Sequence, residues 1–115
     1  MVLRKIAELL EAEIFGKEEY LDREITCAFG SDLISDILMC TKEPTILLTG
    51  LTNPQIVRLS DMIDLQGIIF VRGKRPTPEL IDMAEERDLP MISTSFTLYK
   101  SSGILYNAGL RSCRI

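Results

Sequence analysis

Apolar and polar positions alternate along this chain at two spacings, and the pattern becomes regular from residue 44 onward. Near the N-terminus Leu3, Ile6, Ala7, Leu9 and Leu10 recur every three or four positions, with Arg4, Lys5, Glu8 and Glu11 between them. That period lays one apolar stripe along a helix, which must then be covered by something else. Glu13 to Phe15 and Arg23 to Phe29 read as short extended pieces, and the polar stretch Gly16 to Tyr20 as a loop between them. Ser31 stands where a helix N-cap is expected, with Asp32 in the first turn complementing the helix dipole. Leu33, Ile34, Ile37 and Leu38 then predict a helix to about Thr41.

After that point strands and helices alternate. Thr45 to Thr49 is β-branched and apolar and ends at Gly50; Asn53 followed by Pro54 places a capping side chain before a proline suited to the first helical position. A helix over 54–65 follows, then a strand from Gly67 to Val71. Thr77 and Pro78 repeat the cap-then-proline device ahead of a helix to about Arg87, which Pro90 ends. Met91 to Ser93 forms a third strand in this part, and Ser95 is placed to cap a last helix carrying Phe96, Leu98, Tyr99, Ile104 and Leu105, closed by Gly109. Strands that are apolar throughout are buried on both faces, so the expected fold is a single α/β domain over residues 1–115 with a mainly parallel sheet flanked by helices.

Charge and composition remove several kinds of function. The 13 Lys and Arg against 17 Asp and Glu leave a formal charge of −4, which disfavours a surface that tracks a nucleic-acid backbone. The chain has no histidine, which excludes His-based catalytic triads, His-ligated zinc and His-based pH sensing. Cys27, Cys40 and Cys113 form no C-x-x-C pair, and an odd count leaves at least one thiol free in a monomer; reduced thiols in a cytoplasmic protein are the expectation. No secretory leader or membrane span is expected.

In an open parallel sheet a ligand sits beyond the carboxyl ends of the strands. The residues expected there are Gly30, Ser31 and Asp32; Gly50, Thr52 and Asn53; Gly73, Lys74 and Arg75; and Thr94 and Ser95. They offer close backbone approach, directional hydroxyl and amide groups, and a cationic pair able to hold an anion. Ser31, Asp32, Asn53, Gly73, Lys74, Arg75, Thr94 and Ser95 are therefore the candidate ligand-binding set. The same residue types also serve any strand-to-helix turn, and Asn53 and Thr77 taken alone read first as helix caps. Gly67, Gly73 and Lys74 come near a phosphate loop, but five residues separate the glycines and Arg75 replaces the magnesium-binding hydroxyl. Asp32, Asp36, Asp61 and Asp64 do not promise the converging oxygens of a cation site. No catalytic residue, metal or cofactor is assigned.

Leu21 to Thr26, Ser31 to Asp36, Gly67 to Val71 with Gly73 and Pro76, and Pro90 to Thr94, in that order, resemble the DRTGG domain family from about residue 1 to 110. Such domains are similar to the N-terminal domain of HPr kinase/phosphorylase. They occur in some phosphotransacetylases and between the CBS domains of some pyrophosphatases, where another domain carries the chemistry. The resemblance implies a regulatory, ligand-sensing homodimer without a kinase domain. The chain departs from the pattern where Cys27 and Ala28 follow Thr26 without a glycine pair, and it has no histidine between Gly50 and Asn53. The expected function is noncatalytic sensing of a small anionic metabolite or nucleotide, with an unidentified protein partner. The alternative is a structural interaction or dimerisation module using Ile56, Val57, Leu59, Met62, Ile63 and Leu65 as its interface.

Overall fold

The computed structural model describes residues 1–39 and 43–114. Its strands are β1 (Glu13–Phe15), β2 (Ala28–Gly30), β3 (Thr45–Thr49), β4 (Leu65–Phe70) and β5 (Met91–Ser93), and its α-helices are α1 (Leu3–Leu9), α2 (Ile34–Met39), α3 (Pro54–Arg58), α4 (Pro78–Glu86) and α5 (Leu98–Asn107). The strands form one sheet in the order β1-β5-β4-β3-β2. β2 to β5 run parallel, and β1 joins the far edge antiparallel to β5.

Strand alternation divides the core into two layers. Leu47, Ile68, Phe70 and Met91 face α2, α3 and α4, packing on Ile37, Ile56, Val57, Leu80 and Ala84. Ile46, Leu48, Ile69, Val71 and Ile92 point to the opposite side, against Leu3 and Ile6 of α1 and Leu105 of α5. Burying each such branched side chain contributes about 1.5–3 kcal/mol before conformational entropy is charged. The run of buried positions along β3 and β4 is what two covered faces require.

Two expected helix starts hold in atomic detail. Asn53 Oδ1 accepts from the Ile56 amide at 3.3 Å and Thr77 Oγ1 from the Leu80 amide at 3.2 Å, each followed by proline. Others shift. The last helix is capped by Thr97, which accepts from the Lys100 amide, and Ser95 lies outside it. Ser31 Oγ accepts from Leu33 at 3.0 Å in a turn that precedes α2, and the Leu33 carbonyl takes the first helical amides. The end expected for that helix, Thr41, lies outside the described residues, as does Cys40. Only the last part of the Arg23 to Phe29 stretch enters the sheet. A register shift between β3 and β4 next to Gln66 accompanies a side-chain bridge from Gln66 to the Thr26 amide and the Glu24 carbonyl.

The interface expected on residues 54–65 is corrected. α3 ends at Arg58 and a 3-10 turn follows, and Ile56, Val57, Leu59, Ile63 and Leu65 are buried in the core, leaving Met62 exposed. Their apolar surplus covers the sheet of the same chain. Cys27 is a buried free thiol, whereas Cys113 is disulfide-bonded, against the expectation of reduced thiols. Among the described residues no helix is long and apolar enough to cross a membrane.

Candidate functional site

The parallel strands bring the loops after β2, β3, β4 and β5 to one edge of the sheet. Asp32, just past β2, spends one carboxylate oxygen on the β3 loop: Oδ1 accepts from Thr49 Oγ1 at 3.0 Å and from the Gly50 amide at 2.7 Å. Thr49 Oγ1 in turn accepts from the Leu51 amide. The backbone leaving β3 is thereby fixed by a side chain from the neighbouring strand.

The loop after β4 is fixed from its other side. Arg72 and Gly73 adopt φ of 59° and 73°, the left-handed region that costs a side-chain-bearing residue about 1–2 kcal/mol. Their amides donate to the Phe96 and Thr94 carbonyls at 2.8 and 2.9 Å, and the Lys74 carbonyl accepts from Ser93 Oγ. The result throws the Arg72 side chain across to β3. A Cβ on residue 50 would lie 2.6 Å from Arg72 Nη2, so glycine there is what admits the guanidinium. That guanidinium makes no hydrogen bond or ion pair with any described residue. Lys74 is exposed beside it on the same loop.

Other members of the expected set are committed elsewhere. Arg75 is held through two nitrogens by Glu13 of β1, with its guanidinium 5.1 Å from the Phe15 ring centroid. Hydrogen bonding to Glu13 pushes its pKa further up. Thr94 is buried, with Oγ1 donating to the Leu10 carbonyl at 2.6 Å and accepting from the Phe96 amide, so it ties α1 to the loop after β5. Asn53 caps α3, and Ser95 is exposed in a bend. The structure thus gathers Asp32, Gly50, Arg72 and Gly73 as the positioned part of the edge, with Lys74 free on its rim. Arg72 escaped the sequence reading because nothing in residue type announces a left-handed arginine.

Gly67 lies inside β4, so the span to Gly73 and Lys74 contains a strand and is no phosphate loop. Among the described residues no group of three or more Cys, Asp or Glu side chains is arranged to hold a metal.

A cavity of about 180 Å³ opens on the α5 face near this edge, bounded by Gly30, Leu48, Ser102, Leu105, Tyr106 and Arg111. The Arg111 at its rim is neutralised by Glu43, which it meets through two nitrogens. That pair and the Arg114 amide hold the Glu43 carboxyl at about 2.

The DRTGG domain pattern matches residues 5–108, most of the chain. The chain belongs to the DRTGG domain family. No curated protein sequence matches it. Among solved structures it is similar to the CBS and DRTGG domains of the regulatory region of Clostridium perfringens pyrophosphatase, complexed with the activator diadenosine tetraphosphate. The TM-score is 0.71 at 19% identity, over 90% of this chain and 45% of that one. The chain therefore spans less than half of that structure, and the likeness establishes a shared DRTGG fold.

Proposed function

We propose that this DRTGG domain is a noncatalytic regulatory module that binds a small anionic ligand at the carboxyl edge of its sheet. One observation carries the reading: from a left-handed backbone the exposed Arg72 guanidinium lies over Gly50, at the carboxyl edge of a parallel sheet, without an acidic partner among the described residues. A guanidinium presents a planar fork suited to a carboxylate or phosphate. Lys74 adds a second positive charge on the same loop. The likeness to a pyrophosphatase regulatory region that was complexed with a nucleotide activator supports a regulatory role in general terms.

The test is thermal unfolding of the protein against a panel of phosphorylated and carboxylated metabolites. At least one is expected to raise the midpoint in the wild type and to lose most of that effect in Arg72→Ala. A panel in which no compound shifts the midpoint, or in which Arg72→Ala responds as the wild type does, contradicts the reading.

A second reading, association through an apolar surface, rests on a separate observation. Ile34, Leu38, Leu59 and Met62 line a groove between α2 and α3. Leu33, Met39 and Met62 are 56%, 61% and 71% exposed beside it. We assign this face to a homodimer contact, compatible with ligand sensing at the carboxyl edge of the sheet. Light scattering of the wild type and Met62→Glu tests it: a dimer that the substitution dissociates is expected, and a monomeric wild type at micromolar concentration contradicts it.

A further inference from the structure

The cavity beside Gly30 and the Arg72 guanidinium are linked through β3, whose Leu48 lines the cavity and whose following residue, Gly50, meets the guanidinium. Leu48 lines the cavity and points toward α1 and α5. Gly50 is two residues further along the chain, just past the end of β3, and Arg72 has taken the space its side chain would fill. The step from Leu48 to Gly50 advances about 7 Å along the strand direction. Gly30 pairs with Leu48 in register, and a Cβ on Gly30 would lie 3.9 Å from the Leu48 Cβ, so the cavity begins one strand over from the guanidinium.

Each part has a chemical character of its own. The cavity, about 180 Å³, is comparable to the ~150 Å³ that accepts a benzene ring. Leu48, Leu105 and Leu110 give it apolar walls, with Tyr106 and Ser102 at the mouth. Its sheet side is an open edge. In a parallel ladder Ala28 and Gly30 both turn their N–H and C=O away from β3. Those of Ala28 are taken by the Arg111 carbonyl and the Cys113 amide, while those of Gly30 have no partner among the described residues. A donor and an acceptor side by side match the edge of a heteroaromatic ring. Arg111, which lines the cavity, is neutralised by Glu43, whereas Arg72 over Gly50 has no ion pair among the described residues, so an anionic group belongs at Arg72.

We propose that the ligand is a nucleoside phosphate, its base entering the cavity beside Gly30 and its phosphate resting on the Arg72 fork above Gly50. This rests on the reading of the carboxyl edge as a ligand site and names the class of molecule it takes. Ser102 offers a way to block the cavity from outside, because its side chain is exposed and its Oγ is 3.6 Å from the Gly30 Cβ position.

The experiment is calorimetric titration with AMP and with ribose 5-phosphate, which keeps the phosphate and lacks the base, on the wild type, Ser102→Phe and Arg72→Ala. The wild type is expected to bind AMP about tenfold or more tighter than ribose 5-phosphate. Ser102→Phe should remove that preference while leaving ribose 5-phosphate binding intact. Arg72→Ala should weaken both ligands by a similar factor. AMP that gives no heat at millimolar concentration, or that binds Ser102→Phe as tightly as the wild type, overturns the proposal. If AMP fails while another anion from the panel binds in an Arg72-dependent way, the base-and-phosphate ligand is wrong and the ligand-sensing reading survives. If no panel compound binds, both fall.

Discussion

The Arg72 guanidinium lies where a side chain on Gly50 would be, with Nη2 2.6 Å from that Cβ position. Two strands that are neighbours in the sheet, β3 and β4, supply the two halves of this arrangement. One contributes the absence of a side chain and the other a cation on a left-handed backbone.

That backbone makes stability and binding separable. Arg72→Gly removes the left-handed penalty of about 1–2 kcal/mol and adds back about 0.4–1 kcal/mol of unfolded-state entropy. A net gain in stability of roughly 0.5–1 kcal/mol is expected in urea unfolding, together with loss of anion binding. A variant that is destabilised would mean that the arginine side chain holds the loop.

The sequence expectation assigned anion binding to Lys74 and Arg75, whereas Arg75 is engaged by Glu13. Arg75→Ala is therefore expected to change anion affinity less than about twofold, and Arg72→Ala to lower it about tenfold or more. Titration of both variants with the same ligand decides this; a larger loss in Arg75→Ala would return the site to the rim of the loop.

Much of the fold was legible before the structure because its signals are local. Asn53-Pro54 and Thr77-Pro78 announce helix starts within two residues, and β3 and β5 have the expected limits. What was not legible depends on partners far away in the chain. Thr94 was expected as a ligand hydroxyl, and nothing local announces its bond to the Leu10 carbonyl, 84 positions away. Arg75 and Glu13 are 62 positions apart. The 54–65 segment was apolar enough for an interface, but periodicity cannot tell which surface an apolar face will cover.

The C-terminal tail should respond to acid. Glu43 titrates near 2 in the folded protein, against an ordinary 4.5, because Arg111 and the Arg114 amide bind its charged form. A depressed folded value means that its stabilising contribution is present above 4.5 and is lost as pH falls toward 2. The stability difference between wild type and Glu43→Gln should accordingly hold steady down to about 4.5 and shrink below it. A difference that is undiminished at the acid end contradicts the assignment.

Ser101 on α5 is fully buried with an Oγ that has no hydrogen-bond partner. Burying an unpaired hydroxyl costs about 1–3 kcal/mol, and alanine is the better helix former. Ser101→Ala is expected to raise stability by about 1 kcal/mol in urea unfolding. A drop of similar size would mean that the hydroxyl is bonded in solution.

The most direct test of the site follows backbone amides by NMR while inorganic phosphate is added at constant ionic strength. The largest shifts are expected at Gly50, Arg72 and Gly73, saturating in the wild type and absent in Arg72→Ala. Shifts that are uniform over the surface, or centred on Arg111 with Gly50 and Gly73 unmoved, would contradict an anion site at the carboxyl edge of the sheet.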